Sequence, residues 1–276
     1  MFSRLRIRLT RRRPSPESSL PSLFTPEFRA DVEHNSRRWD DEWLSYWVTE
    51  KQYSYKYFIN RRTIDEQEVE KHRLPLKKLT EEECFNFDPL GYNSLAIWAK
   101  GKWIPDATIA ELGCGPGILG KAVGPFCRQY IGIDYSQLAL HVARLTSPLN
   151  CRYLHLSDVA ELDALAATCD LCVGRYFFIH QNWKNACWVL RLYRHLLKDG
   201  GRVSADFFAP GGPDTAYDNA WMIRNPEDPL NEEQPSCMFA YTDDHIRRLA
   251  AECGFKVKAI DYRPAYQRRF AILMKR

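Results

Sequence analysis

Three glycines set between two apolar runs are the most suggestive chemistry in this chain. In Thr108-Ile-Ala-Glu-Leu-Gly-Cys-Gly-Pro-Gly117 a strand-like run ends at Leu112, glycines follow at 113, 115 and 117, and a helical period begins at Ile118. Such a loop at the carboxyl end of a strand lets a ligand lie against bare backbone. Seventeen residues past Gly117 the next apolar run ends in Asp134. A carboxylate there can accept hydrogen bonds from both hydroxyls of a ribose. His180 closes the fourth apolar run and is the candidate general base, because an unperturbed imidazole titrates near neutrality. Packing at a helix entry, under Trp183, is the structural alternative for that histidine.

The glycines also fit a competing pattern. Gly115-Pro-Gly-Ile-Leu-Gly120 reads as the G-x-G-x-x-G dinucleotide fingerprint. That fingerprint expects its acid about 20 residues further on, whereas Asp134 lies fourteen past Gly120. It also gives Glu111 no task.

Positioning these residues falls to a regular alternation that starts near residue 101. Short apolar runs at Thr108–Leu112, Tyr130–Asp134, Cys151–Leu156, Asp170–Phe178 and Arg202–Phe208 alternate with helical stretches at Ile118–Val123, Ser136–Leu145, Val159–Ala167 and Asn182–Leu197. This spacing predicts βαβ units, hence a parallel sheet covered by helices on both faces. Two further strands, Phe255–Tyr262 and Arg268–Met274, are joined by too few residues for a crossover helix, so the last strand should run antiparallel.

With those residues in place, the chain resembles the class I S-adenosylmethionine-dependent methyltransferases over residues 105–276. The glycine motif with Glu111 resembles the family's first motif, and Asp134 its partner acid. Ser157-Asp158 resembles the adenine-contacting acid, and Leu197-Lys-Asp-Gly-Gly201 the turn before the fifth strand, with Asp199 where proline is usual. Tyr241-Thr-Asp-Asp-His-Ile through the terminal strand resembles the closing helix and hairpin. The resemblance implies an α/β, Rossmann-like seven-stranded sheet, six strands parallel and the last antiparallel, flanked by helices. It implies S-adenosyl-L-methionine as cofactor, held by Glu111, Gly113, Cys114, Gly115, Gly117, Asp134, Tyr135, Asp158, Val159 and Arg175. An N-cap is the structural alternative for Asp158. Arg175 and Tyr176 fall by position near the donor's methionine end. The fourth strand runs into Gly174-Arg-Tyr-Phe177, which lacks the Asn/Asp-Pro-Pro-aromatic tetrad of methylases acting on adenine or glutamine amino groups.

The acceptor is expected to be a small molecule, methylated on oxygen or nitrogen. Residues 209–241 form a long connection after the fifth strand, at the sheet edge where open α/β folds bind ligands. Trp221 and Arg224 there, with Tyr176, are candidate substrate contacts. Equally, Trp221 and Met222 are suited simply to anchor the loop. The alternatives to a small-molecule enzyme are a protein or RNA methyltransferase recruited through a basic tail, and a donor-binding protein without activity.

Charge bears on those alternatives. The chain has 276 residues, 39 Lys+Arg and 35 Asp+Glu, a net of +4. Six arginines fall in the first thirteen residues, and without them the balance is 33 against 35, a net of −2. The body therefore gives no strong nucleic-acid signal. Residues 1–23 read as a disordered basic tail, since their arginine run and PSPESSLPS segment offer little apolar area to bury. Their Arg-rich, acid-free start suggests a mitochondrial presequence as the alternative to a cytoplasmic location. Residues 24–100 read as an aromatic-rich helical cover, with Trp39, Trp43, Tyr46 and Trp47 on one helical face and Tyr53, Tyr55 and Tyr57 alternating after it. Residues 101–276 form the main domain. No run approaches the ~20 apolar residues of a membrane span. Oligomeric state is not legible.

Nine irregularly spaced cysteines suit free thiols in a reducing compartment. Cys169 and Cys172 form a C-x-x-C, but on a strand they should face opposite sides, and no second pair or spaced histidine suggests zinc. No metal is expected. Cys114, inside the loop, offers a thiol whose alkylation should block the donor.

Overall fold

A computed structural model of the chain describes residues 20–49, 106–209, 228–230, 238–263 and 267–276. Tyr53, Tyr55, Tyr57, Trp221, Arg224 and the arginines of the tail lie outside these residues, as do the side chains of Tyr46 and Trp47.

Seven strands form one sheet: β1 (Thr108–Leu112), β2 (Gln129–Asp134), β3 (Cys151–His155), β4 (Cys169–Gly174), β5 (Leu197–Phe208), β6 (Phe255–Arg263) and β7 (Arg268–Lys275). Their order is β3-β2-β1-β4-β5-β7-β6. Strands β1 to β5 pair in parallel, and β7 runs antiparallel between β5 and β6. This is the architecture the strand–helix alternation predicts. Helices α1 (Pro26–Thr49), α2 (Ile118–Val123), α3 (Gln137–Thr146), α4 (Val159–Asp163), α5 (Trp183–Leu196) and α6 (Asp243–Glu252) complete it.

Period-2 alternation sorts the strand side chains into two cores. On β1, Ala110 and Leu112 join the larger core with α5 and α6, while Ile109 joins the smaller one with Leu119 of α2 and Leu140 of α3. The strand order reverses between β1 and β4, so the two chains diverge there and leave a crevice. Tyr193 of α5 bridges the split: its hydroxyl donates to Val173 O at 2.5 Å and accepts from Leu112 N at 3.2 Å.

Three expectations need correction. β4 ends at Gly174, not Phe178, because the chain turns through a positive φ of 53° at Tyr176 and continues as a short 3-10 turn over Phe178–His180. α4 stops at Asp163, short of Ala167, where φ is 53°. Cys169 and Cys172 face the same core rather than opposite sides, since the β4–β5 register shifts between Cys169 and Leu171. A bulge advances the pleat by one residue, which turns the side chains after it to the other face. At the shift, the Asp170 carboxylate accepts from Thr108 N at 2.8 Å and pairs with Lys198 Nζ at 2.5 Å.

α1 starts as its sequence directs. Thr25 Oγ1 accepts from Phe28 N at 3.2 Å, and Pro26 occupies the first helical position, where no amide hydrogen is needed. Its first turns dock on α5: Phe28 stacks on Trp188 with ring centroids 3.6 Å apart, and Trp188 Nε1 donates to Leu23 O at 2.6 Å. Among the described residues no helix is long and apolar enough to cross a membrane.

Candidate donor and acceptor site

Four strand ends meet at one edge of the sheet, and the candidate residues gather there. The loop after β1 is held by backbone contacts with β2: Gly113 N and Cys114 N both donate to Ile133 O, at 2.8 and 3.2 Å. Gly113, Gly115 and Gly117 all have positive φ, 75°, 51° and 77°. That conformation strains any other L-residue. A side chain on Gly113 would also strike Phe177, 2.3 Å from an ideal Cβ, and one on Gly115 would meet the Trp43 indole at 2.9 Å.

Asp134 lies directly behind this loop. One of its oxygens accepts from Gly115 N at 2.7 Å and the other from Ser136 N at 2.8 Å. Burial raises its pKa above the ordinary carboxylate value, and the amides of Ser136 and Gly115 oppose the rise. Ser136 in turn caps α3 by accepting from Ala139 N at 3.0 Å.

Glu111 is fully buried beneath the loop. It accepts a short hydrogen bond from the Tyr130 hydroxyl and pairs with Arg175 Nε at 3.1 Å. Burial pushes its pKa up, and the Arg175 charge pulls it down. The arginine of the fourth strand end and the acid of the first are thus one buried pair. Tyr135 is buried and stacks on Phe177, with ring centroids 6.1 Å apart. Asp158 opens α4, but its side chain does not cap that helix; it turns back to accept from His155 N at 2.9 Å. Val159 follows it, partly buried against the larger core. Cys114 turns its thiol into the smaller core, where burial raises its pKa well above the ordinary value. Only its backbone faces the loop, so the reactive-thiol expectation does not fit its environment.

Across the crevice the side chains carry the structure. Asp206 on β5 and Arg268 on β7 form a buried ion pair, Nε to Oδ2 3.2 Å. Tyr176 N donates to Asp206 Oδ1 at 2.8 Å, and the Arg268 guanidinium lies 5.1 Å from the Tyr176 ring centroid and 4.8 Å from that of Phe208. Tyr176 is itself exposed. Gln267 has φ 51° and buries an Oε1 with no hydrogen-bond partner among the described residues. Left-handed backbone at Tyr176 and Gln267 costs about 1–2 kcal/mol each, and such strain concentrates at functional sites. His180 packs against Trp39, ring centroids 5.0 Å apart, rather than under Trp183. Burial, together with the charges of Arg38 and Arg268, lowers its pKa to about 4. The imidazole is therefore neutral at neutral pH: a hydrogen-bond acceptor and a weak base, not one tuned near 7.

Sequence reasoning passes over Asp206, Arg268 and Gln267, and also Ser36, Asp40 and His155. Asp206 alone leaves a trace, as the one carboxylate in the strand-like run Val203–Phe208. A buried acid inside a strand demands a partner, although the sequence does not say which. Among the described residues no group of His, Cys, Asp and Glu is arranged to hold a metal ion.

The arrangement suits a nucleoside-bearing ligand: a loop of bare backbone, a carboxylate fixed behind it, and a second carboxylate after β3. Residues 109–201 match a family described as a methyltransferase domain. The chain is 30% identical over 139 residues to a ubiquinone biosynthesis O-methyltransferase from Serratia proteamaculans, a match that covers 49% of this chain and 54% of that protein. It thus spans about half the length of this curated relative. A protein solved in work on the conversion of a disulfide bond into a thioacetal group during echinomycin biosynthesis superposes with a TM-score of 0.50, at 15% identity, over 66% of this chain and 80% of that one. A SAM-dependent methyltransferase from Methanosarcina mazei gives a TM-score of 0.45 at 17% identity, covering 62% and 93%. Over residues 109–201, glycine loop and partner acid included, the chain is thus similar to methyltransferase domains.

Proposed function

We propose that this protein transfers the methyl group of S-adenosylmethionine to an oxygen or nitrogen of a small-molecule acceptor. The observation that carries this reading is Asp134, fixed by the amides of Gly115 and Ser136 at the back of a three-glycine loop. S-adenosylmethionine, when bound, supplies a methyl group already activated on a sulfonium. What remains for the chain is to bind, align and exclude water. Asp134 is suited to the ribose hydroxyls, and Asp158, after β3, to the adenine amine, with Tyr135 and Val159 beside it. Glu111 is too deeply buried to meet a ligand; it anchors Arg175, which keeps a cation at the methionine end. Tyr176 and His180 face the acceptor side. His180, neutral, accepts a hydrogen bond from an acceptor hydroxyl or amine and so orients its lone pair, while the proton lost on methylation leaves to solvent.

The curated relative's name supports an oxygen acceptor. The domain division of 1–23, 24–100 and 101–276 remains our proposal for the whole chain. A cytoplasmic setting fits the seven described cysteines, all free thiols.

Calorimetry with S-adenosylhomocysteine tests the donor assignment. The wild-type chain should bind it, and Asp134→Ala should weaken binding at least ~100-fold, as expected when a site loses its hydrogen-bonding carboxylate. Absence of heat with S-adenosylhomocysteine, together with binding of NAD, would sink the proposal.

A further inference from the structure

One face of α1 touches the ends of four strands. Ser36, Trp39, Asp40 and Trp43 fall at i, i+3, i+4 and i+7, which places them in one stripe. Ser36 Oγ lies 2.8 Å from His155 Nε2, at the end of β3. Trp39 meets His180, beyond β4. Asp40 Oδ1 accepts from the Ser136 hydroxyl at 2.5 Å and from Leu138 N at 3.0 Å, just past β2. The Trp43 indole lies against Gly115, in the loop after β1, and packs with Ile118, Leu138 and Val142.

We propose that α1 is the outer wall of the donor site, with Trp43 a donor-contacting residue and Asp40 a positioning residue for Asp134. The inference rests on the donor-binding reading above and extends it to residues outside the methyltransferase match. The link through Asp40 is short. Its carboxylate holds the Ser136 hydroxyl, and the Ser136 amide holds Asp134 Oδ1. A helix merely resting on the domain needs apolar contact, and α1 already has that at Phe28 and Trp188. Its second half instead directs a carboxylate at the first turn of α3, where free amides favour an anion, and an indole at the glycine loop.

His155 locks the same edge. Its Nε2 donates to Tyr135 O at 2.7 Å and shares that hydrogen with Ser36 Oγ, whose own hydrogen goes to Val32 O at 2.8 Å. The adenine-side turn, the third strand and α1 therefore share one imidazole. Because Trp43 lies over the glycine loop, a bound donor touches both the loop and α1. Donor binding and α1 docking are then linked, each strengthening the other by the same factor.

The test uses the full-length chain. Trp43→Ala should raise the Kd for S-adenosylhomocysteine about tenfold, and Asp40→Asn about fivefold, both chiefly through faster dissociation in stopped-flow tryptophan fluorescence. Trp43→Phe should recover most of the loss. Asp41→Asn, exposed one residue along, should change nothing. In hydrogen exchange, amides of residues 36–43 should be protected when S-adenosylhomocysteine is added to the wild type, a readout that does not depend on how well any variant folds. Tight binding by the wild type with unchanged Kd in both variants, or with no protection of α1, would overturn the inference alone. A wild type that does not bind S-adenosylhomocysteine removes the donor reading and this inference with it.

Discussion

On the β1–β3 side of the crevice the candidate ligand groups are backbone and side chains within five residues of a strand end. On the β4–β5–β7 side they are side chains that meet from far apart in sequence. Asp134 is satisfied by amides 19 and 2 residues away, whereas Asp206 reaches 30 residues back to Tyr176 N and pairs with Arg268 on a different strand. The contrast suits the two tasks proposed above. A donor common to many enzymes can be held by a turn that the chain builds locally. An acceptor particular to one enzyme needs a surface assembled by tertiary packing, which can be altered without touching the turn.

Substitutions can break this contrast. The largest expected effect is that of Asp206→Ala. It leaves the Arg268 guanidinium buried without its carboxylate, which should cost about 3–5 kcal/mol in urea unfolding. Donor affinity should stay within about threefold of wild type, because the pair shares no partner with Asp134. A loss of donor affinity as great as that of Asp134→Ala would show the two sides to be one unit.

A smaller effect should appear on acidification. His180 has a pKa of about 4 in the fold against an ordinary 6.5. Between those values the unfolded chain takes up a proton that the folded chain refuses, so stability falls as pH drops through that window and is unaffected above it. After allowance for partial exposure the loss is about 2 kcal/mol near pH 4. His180→Gln should remove that part of the slope in denaturation curves taken from pH 7 to pH 4, and an unchanged slope would count against a buried neutral imidazole.

The smallest effect is expected inside the glycine loop itself. Cys114→Ala should cost about 1 kcal/mol of stability for a small core volume. Its donor Kd should remain within about twofold, since the thiol faces the core and only its backbone faces the loop. A tenfold weakening would make that side chain a donor contact after all.

What was legible in the sequence follows the same line between local and distant. The glycine loop, Asp134 and Asp158 can be read because strand ends and turn residues follow one another directly in the chain. The seven strands can be read because strand and helix periods alternate. The bulge at Cys169–Leu171 cannot, since nothing in Cys-Asp-Leu-Cys marks the extra residue. The sequence predicts that β4 runs through Phe178, because Tyr-Phe-Phe-Ile has the composition of a strand, yet Phe177 and Phe178 bury their rings from a turn. The pairing of Asp206 with Arg268 depends on the order of strands, and composition does not reveal which arginine will cross the sheet.

The position of β7 has a consequence for how the molecule is made. It is the last of the seven strands in chain order, yet it lies inside the sheet, and β6 joins only through it. A ribosome that has delivered residues 1–263 has supplied every other strand but not the one that closes them. Until residues 268–275 emerge, β5 presents an open edge ready to pair with a neighbouring chain, the kind of exposure that chaperones shield. Arg268 arrives with that strand, so Asp206 meets this cation only once β7 has paired. The glycine loop and Asp134, more than 130 residues earlier, can by then already be in place.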